Sequence, residues 1–167
     1  VRENLDPFKK YSDERIYNAL DLVSCGEHIR SLDDGEGAAG LEAKVSEKGE
    51  NFSSGMVQLL CLARVLLRQP RVVFMDEATA SVDLETDMTV QKAIRSADGG
   101  LGGSTLLTVA HRLHTVVDFD KILVMSDGAV AEFGHPHELL QNPESVFSSL
   151  VDDTGAASAT ELRNRAR

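Results

Sequence analysis

Basic side chains are in short supply: 17 Lys and Arg stand against 27 Asp and Glu, a formal charge of −10. Nucleic-acid phosphates are bound by clustered Lys and Arg, so this deficit argues against a nucleic-acid partner. Nucleotides stay open, because a small phosphate site works through backbone amides and a metal ion rather than a basic surface. Cysteine is scarce too. Cys25 and Cys61, the only two, lie far apart in apolar or mixed surroundings, which excludes a disulfide framework or thiolate cluster and fits a reducing compartment. No apolar run reaches the roughly 18 to 20 residues that span a bilayer, and Val1-Arg2-Glu3-Asn4 does not begin a signal peptide, so the chain itself is expected to be soluble. It also lacks an initiating Met, and its abrupt start leads us to expect a piece of something longer. What is present, 167 residues at 42% hydrophobic content, suffices for one globular domain with a buried core.

Along the chain, Ser12 is placed to cap a helix whose first turn carries Asp13 and Glu14, with Ile16, Ala19, Leu20 and Val23 on one apolar face. From Leu32 to Asn51 the pattern dissolves into acidic, glycine and polar residues, which predicts a mobile surface connection. Met56, Leu59, Leu60, Ala63, Leu66 and Leu67 recur at helical spacing between a capping Ser53 and a terminating Pro70. Val72 to Met75 is a short continuous apolar run ending in Asp76-Glu77, the pattern of a central parallel strand whose C-terminal end is polar; ligand sites in open α/β sheets collect at such ends. A helix from Leu84 to Ala97, strands Thr105 to Val109, Ile122 to Met125 and Val130 to Phe133, an Asp127-Gly128 turn and a short helix from Pro136 complete an α/β alternation. The small and polar tail is expected to fray.

Asp76 and Glu77 are adjacent, so on a strand they point to opposite sides, one able to hold a metal while the other faces a reacting water. Taken alone, such a pair is more often a solvated strand end. Here it is followed by Ala78-Thr79-Ala80-Ser81-Val82-Asp83. It is preceded by Gly49-Glu50-Asn51-Phe52-Ser53-Ser54-Gly55, which opens the helix running through Leu62-Ala63-Arg64. In this order and spacing the chain resembles the ABC ATPase family: a signature segment and helix, a Walker B strand with its Asp-Glu, a D-loop at Ser81 to Asp83, and a switch histidine at His111. Gly134, His137, Glu138 and Leu139 echo the segment after the family's last strand. The opening Val1 to Phe8 and the Thr86-Asp87 after Leu84-Glu85 are similar to the second nucleotide-binding domain of C-type, multidrug-resistance-associated exporters.

The resemblance implies an incomplete P-loop NTPase fold: a partial parallel-sheet α/β core plus a helical subdomain, without the Walker A half. The expected divisions are a helical subdomain with the signature at 1–69, the C-terminal half of the ATPase core at 70–150, and a disordered tail at 151–167. It further implies ATP and Mg2+ as cofactors, with Asp76 positioning the metal, Glu77 polarising the attacking water and His111 contacting the γ-phosphate. Ser53, Ser54, Gly55 and Asp83 would face nucleotide held by a second such domain, stacked head to tail. A serine-headed helix start attracts phosphate and a glycine permits close approach; a plain N-cap, which does not exclude that role, is the better explanation of Ser53 taken alone. Transmembrane domains of the same parent would be the other partners, at the cytoplasmic face of a membrane. The alternatives are a soluble ABC ATPase acting in translation or DNA repair, and a catalytically silent regulatory module.

Two departures and three decoys need separate readings. Where the family usually has Leu-Ser-Gly-Gly-Gln, this chain has Phe52-Ser53-Ser54-Gly55-Met56. Met56 falls at the third helical position, where Gln would complete a reciprocal capping box and Met cannot, at a cost of ~1 kcal/mol; Phe52 is placed to compensate by packing on Val57 as a hydrophobic staple. Gly35 to Gly40 fits G-x-G-x-x-G, yet no strand precedes it and Asp33, Asp34 and Glu36 would repel a pyrophosphate. Gly99 to Ser104 leads into a strand, has no Lys before Ser104 and reads as a flexible connection. The pairs His111/His114 and His135/His137 lack further ligands for a metal. Nowhere does G-x-x-x-x-G-K-[ST] occur, so the chain alone is expected to bind ATP weakly, not to hydrolyse it, and to expose apolar surface where neighbouring strands are missing.

Overall fold

A computed structural model describes every residue except Ala97, Ala110, His111 and Arg167. It divides into two compact units, Val1–Thr108 and Val109–Arg167, each with its own core. The boundary expected between 69 and 70 does not separate them. Residues on both sides of it, including Leu62, Leu66, Val73, Met75, Val90 and Ile94, share one apolar cluster.

The first unit opens with a single turn, α1 (Arg2–Leu5), and helix α2 (Asp13–Leu22). Ser12 caps α2 by accepting the Arg15 N–H at 3.4 Å, and the helix buries Ile16, Ala19 and Leu20. After α3 (Gly26–Ser31) comes α4 (Ser54–Arg68), which packs against α2. Ser53 caps α4, and Leu59, Leu62, Ala63, Leu66 and Leu67 form its buried face. Each buried leucine contributes roughly 1.5–3 kcal/mol, far more than the few tenths by which helix propensities differ, so packing rather than intrinsic preference fixes this helix. Gln69 ends it in the left-handed region at φ 46°, ahead of Pro70.

The segment from Leu32 to Asn51 is anchored rather than loose. Leu41 and Ala43 are buried, Asp33 bridges Ala39, and the Asp34 carboxylate accepts the backbone N–H groups of Glu36, Ala38 and Lys44. Those bonds hold the Asp34 carboxyl below its ordinary range, the Glu36 amide contributing most. The amides of the G-x-G-x-x-G run are therefore turned toward a carboxylate of the same loop, which removes its phosphate-binding reading.

Strand β1 (Val72–Asp76) pairs with β2 (Thr105–Val109), with α5 (Leu84–Arg95) between them in the chain. Ser104 donates its hydroxyl to the Pro70 carbonyl at 2.6 Å, and the Thr105 N–H bonds the Arg71 carbonyl at 2.8 Å. Among the described residues, β1 has cover on one face. Val73 and Met75 are buried while Val72 and Phe74 are 52% and 76% exposed. The Gly99–Gly103 stretch is not slack either. Leu101 is buried and its N–H bonds the Ile94 carbonyl at 2.7 Å, tying the loop to the end of α5.

The second unit holds α6 (Leu113–Val116), strands β3 (Ile122–Ser126) and β4 (Ala129–Gly134), and helices α7 (Pro136–Gln141), α8 (Val146–Asp152) and α9 (Ala156–Arg165). β3 and β4 form an antiparallel hairpin closed by Asp127 and Gly128 at φ 50° and 78°, the two positive values that a two-residue turn matching strand twist requires. A register shift between Val124 and Met125 leaves Ala131 as a bulge. The Glu132 carboxylate accepts the N–H groups of Val146 and Phe147 and the Ser145 hydroxyl, at 2.7, 3.0 and 2.9 Å. A strand residue thus satisfies the free amides at the start of α8.

The segment expected to be a disordered tail is mostly helix. Leu162 is fully buried, as is Val151, and Ala159 and Ala166 join the same core. Arg163 donates to the Leu140 carbonyl, the Ser148 hydroxyl and Asp152 at 2.8, 2.9 and 2.8 Å, while Arg165 pairs with Asp118 and donates to the His114 carbonyl at 2.9 Å. Apolar side chains spaced for one helix face, with two arginines that find acceptors, are what order it. Among the described residues, no helix is long and apolar enough to cross a membrane.

Candidate functional site

The acidic pair sits where β1 gives way to irregular chain. Asp76 is the last strand residue and is exposed, as is Glu77. Strand alternation is not what separates their carboxylates. Glu77 already lies outside β1, in the left-handed region at φ 46°, a conformation that costs a non-glycine residue roughly 1–2 kcal/mol. The backbone therefore swings away immediately after Asp76. Two successive turns follow, with the Ala80 N–H bonded to the Glu77 carbonyl at 3.0 Å and the Val82 N–H to the Thr79 carbonyl at 3.1 Å. Buried Thr79 and Val82 pin these turns to the unit. Asp83 then caps α5 by accepting the Thr86 N–H at 3.0 Å, and this amide, helped by the Thr86 side chain, holds the Asp83 carboxyl below its usual range.

The start of α4 packs on the same turns. Ser53 Oγ accepts the Met56 N–H at 3.1 Å, so the capping expected of this serine is present, and Ser54 opens the helix in an exposed position. Gly55 lies against the backbone of Ser81: a methyl group at Gly55 would stand 2.8 Å from the Ser81 carbonyl oxygen and 3.8 Å from Val82 Cγ2. One helical turn on, Gln58 Oε1 accepts the Ser81 N–H at 2.9 Å. Asp76, Glu77, Ser81, Asp83, Ser53, Ser54 and Gly55 thus belong to one unit, and the serine-headed helix touches the loop that leaves the acidic pair. Gln58 was invisible to sequence reasoning, although its place three residues after Gly55 put it on the same helix face.

Phe52 faces the His28 ring edge-on, with 6.4 Å between ring centres. With Val57, Val45, Lys48 and Leu60 it also lines a hollow of about 340 Å³. His111 lies outside the described residues. His114, three residues on, meets the Ser158 hydroxyl at 3.2 Å. His135 caps α7 by accepting the His137 N–H at 3.2 Å, and His137 Nε2 meets Gln141 at 2.7 Å. These imidazoles have protein partners, and among the described residues no group of three or more His, Cys, Asp or Glu is arranged to hold a metal.

Residues 1–80 match the family model described as ABC transporter. The chain is 49% identical over 159 residues to the "Probable multidrug resistance-associated protein lethal(2)03659" of Drosophila melanogaster, a match that covers 95% of this chain and 11% of that protein. It is 42% identical over 167 residues to the human "ATP-binding cassette sub-family C member 4", covering all of this chain and 12% of that one. The chain thus spans about a tenth of the length of these relatives. Among solved structures it is similar to a bacterial Atm1-family ABC exporter with ATP bound, with a TM-score of 0.78 and 26% identity, over 92% of this chain and 26% of that one.

Proposed function

The chain belongs to the ABC transporter family, and from that premise we propose that it forms part of the ATP-hydrolysing domain of a C-type exporter, working in a parent protein embedded in a membrane. The observation that carries this reading is the packing of the serine-capped start of α4 on the turns that follow Asp76 and Glu77. One surface then offers both an acidic strand end, suited to nucleotide bound on the same domain, and a helix start, suited to nucleotide bound on another.

In this reading Asp76 orients a magnesium ion, Glu77 draws a proton from the attacking water, and His111 holds the γ-phosphate. Ser53, Ser54, Gly55 and Asp83 face the nucleotide of a second domain docked head to tail. The exposed carboxylate of Asp76 fits magnesium, which takes one or two protein carboxylates and fills its shell with water and phosphate oxygens. When bound, the ion supplies charge neutralisation for the transferred phosphoryl group. The chain's own contribution is placement. The left-handed turn at Glu77 carries its side chain off the line of β1, so that one carboxylate serves as ligand and its neighbour as base.

These 167 residues contain no G-x-x-x-x-G-K-[ST] run, so a polypeptide limited to them does not turn over ATP; the cradle for the β- and γ-phosphates comes from elsewhere in the parent. The transmembrane domains of that parent are the second partner. In the full-length protein, Glu77→Gln abolishes ATP turnover and leaves ATP retained on the protein. Turnover unaffected by that change overturns the catalytic assignment, and a full-length protein without turnover in either form is a regulatory module instead.

A further inference from the structure

We propose that Gln58 is a positioning residue that locks the loop from Glu77 to Asp83 onto the start of α4, so that the two partner-facing segments of this chain move as one block. The inference rests on the ATPase reading given above and adds a residue to it. Three contacts carry it. Gln58 Oε1 takes the Ser81 N–H at 2.9 Å. The Ser81 carbonyl sits so close to Gly55 that nothing larger than hydrogen fits between them. The Val82 N–H closes on the Thr79 carbonyl at 3.1 Å and the Ala80 N–H on the Glu77 carbonyl at 3.0 Å, so the turn that contains Ser81 overlaps the one that begins at Glu77.

Ser81 is thus held at both of its backbone polar groups by one helix face, its N–H by a side chain and its carbonyl side by a glycine. The Gln58 contact uses no group assigned to nucleotide, and the Gly55 contact uses only its backbone. The Ser53 hydroxyl is engaged with Met56 at the helix start, and the Asp83 carboxylate with the Thr86 amide. Gln58 acts on the reacting atoms only through Ser81 and the overlapping turns that begin at Glu77. Loss of its oxygen frees the Ser81 N–H and lets the turn drift. Misplacement of a base by a fraction of an ångström slows the chemical step while leaving nucleotide affinity in place.

The test uses the full-length protein carrying these residues, with Gln58→Leu, which removes the acceptor at similar size, and Gln58→Glu, which keeps an acceptor oxygen for the Ser81 N–H. Gln58→Leu lowers kcat for ATP about tenfold with KM changed less than about twofold, and Gln58→Glu returns kcat to within about threefold of wild type. Wild-type kcat in Gln58→Leu, or an equal loss in both variants, overturns the proposal. Hydrogen exchange at the Ser81 amide separates this from failure of the ATPase reading. If the wild type shows no turnover, faster exchange at Ser81 in Gln58→Leu and wild-type exchange in Gln58→Glu still support the clamp, and equal exchange in all three sinks it.

Discussion

Gly55 and Ser81 stand so close that a single methyl group at Gly55 would lie 2.8 Å from the Ser81 carbonyl oxygen. The glycine of the signature segment is thus required by packing within its own chain, independently of any nucleotide. Gly55→Ala forces either the start of α4 or the loop at Ser81 to shift, at about 1–3 kcal/mol. Urea unfolding should show a lower midpoint at unchanged slope; an unmoved midpoint would mean that the loop yields freely.

Glu132 tests the link between β4 and α8. Burial alone would push its carboxyl up, but the Phe147 and Val146 amides and the Ser145 hydroxyl together outweigh burial and hold it below its ordinary value of 4.5. A group whose folded-state value is depressed adds stability at pH above its unfolded value, and that stability is lost as pH falls through the lowered folded value. Between neutral pH and the acid side of 4.5, wild-type stability should therefore decline more steeply than that of Glu132→Gln, as followed by urea midpoints at each pH. Parallel curves would show that the three bonds contribute nothing net.

The two thiols should separate cleanly. Cys25 is fully buried, and burial, aided by nearby Asp21, pushes its thiol up to about 12, whereas Cys61 is exposed on α4. Because the thiolate is the reactive form, iodoacetamide at neutral pH should label one cysteine in the folded protein and both after denaturation. Mass mapping of a native label onto Cys25 would contradict the packing of α2 and α3 around it.

Met56→Gln gives the third helical position a side chain that can reach back to the Ser53 N–H, a reciprocal cap worth ~1 kcal/mol. Met56 packs partly on the first unit's core, so part of that gain is offset by lost apolar contact and the net stability change should stay under about 1 kcal/mol. The informative readout is turnover of the full-length protein, which should rise; an unchanged rate discards the idea of a weakened signature.

Much of this was legible locally. The apolar period of α4, the serine at its head, the alternation around β1 and the Asp127-Gly128 turn are written in adjacent residues, and their elements form where the pattern puts them. The candidate carboxylates were legible by type but not by geometry, because nothing in a glutamate announces a left-handed backbone at Glu77. What was illegible depends on distant partners. Gln58 and Ser81 are 23 residues apart, Glu132 reaches a helix that starts beyond a second helix, and Leu162 becomes a core residue only once the second unit's other elements pack around it. The loop at Leu32 to Asn51 misled for a different reason: its polar side chains accept backbone amides of the same loop only a few residues away.

The tight turn between β3 and β4 has a kinetic consequence. Strands joined by two residues can zip together on the microsecond scale, long before contacts across a hundred residues are worth their loop entropy. With Asp127 and Gly128 preset at positive φ, the hairpin is the natural seed of the second unit, and Glu132, brought into place by that zipping, is ready to receive the start of α8. Order of assembly is thereby encoded at one dipeptide. Replacing Gly128 by Val should slow refolding more than it speeds unfolding, as expected for a residue whose structure is already formed at the barrier.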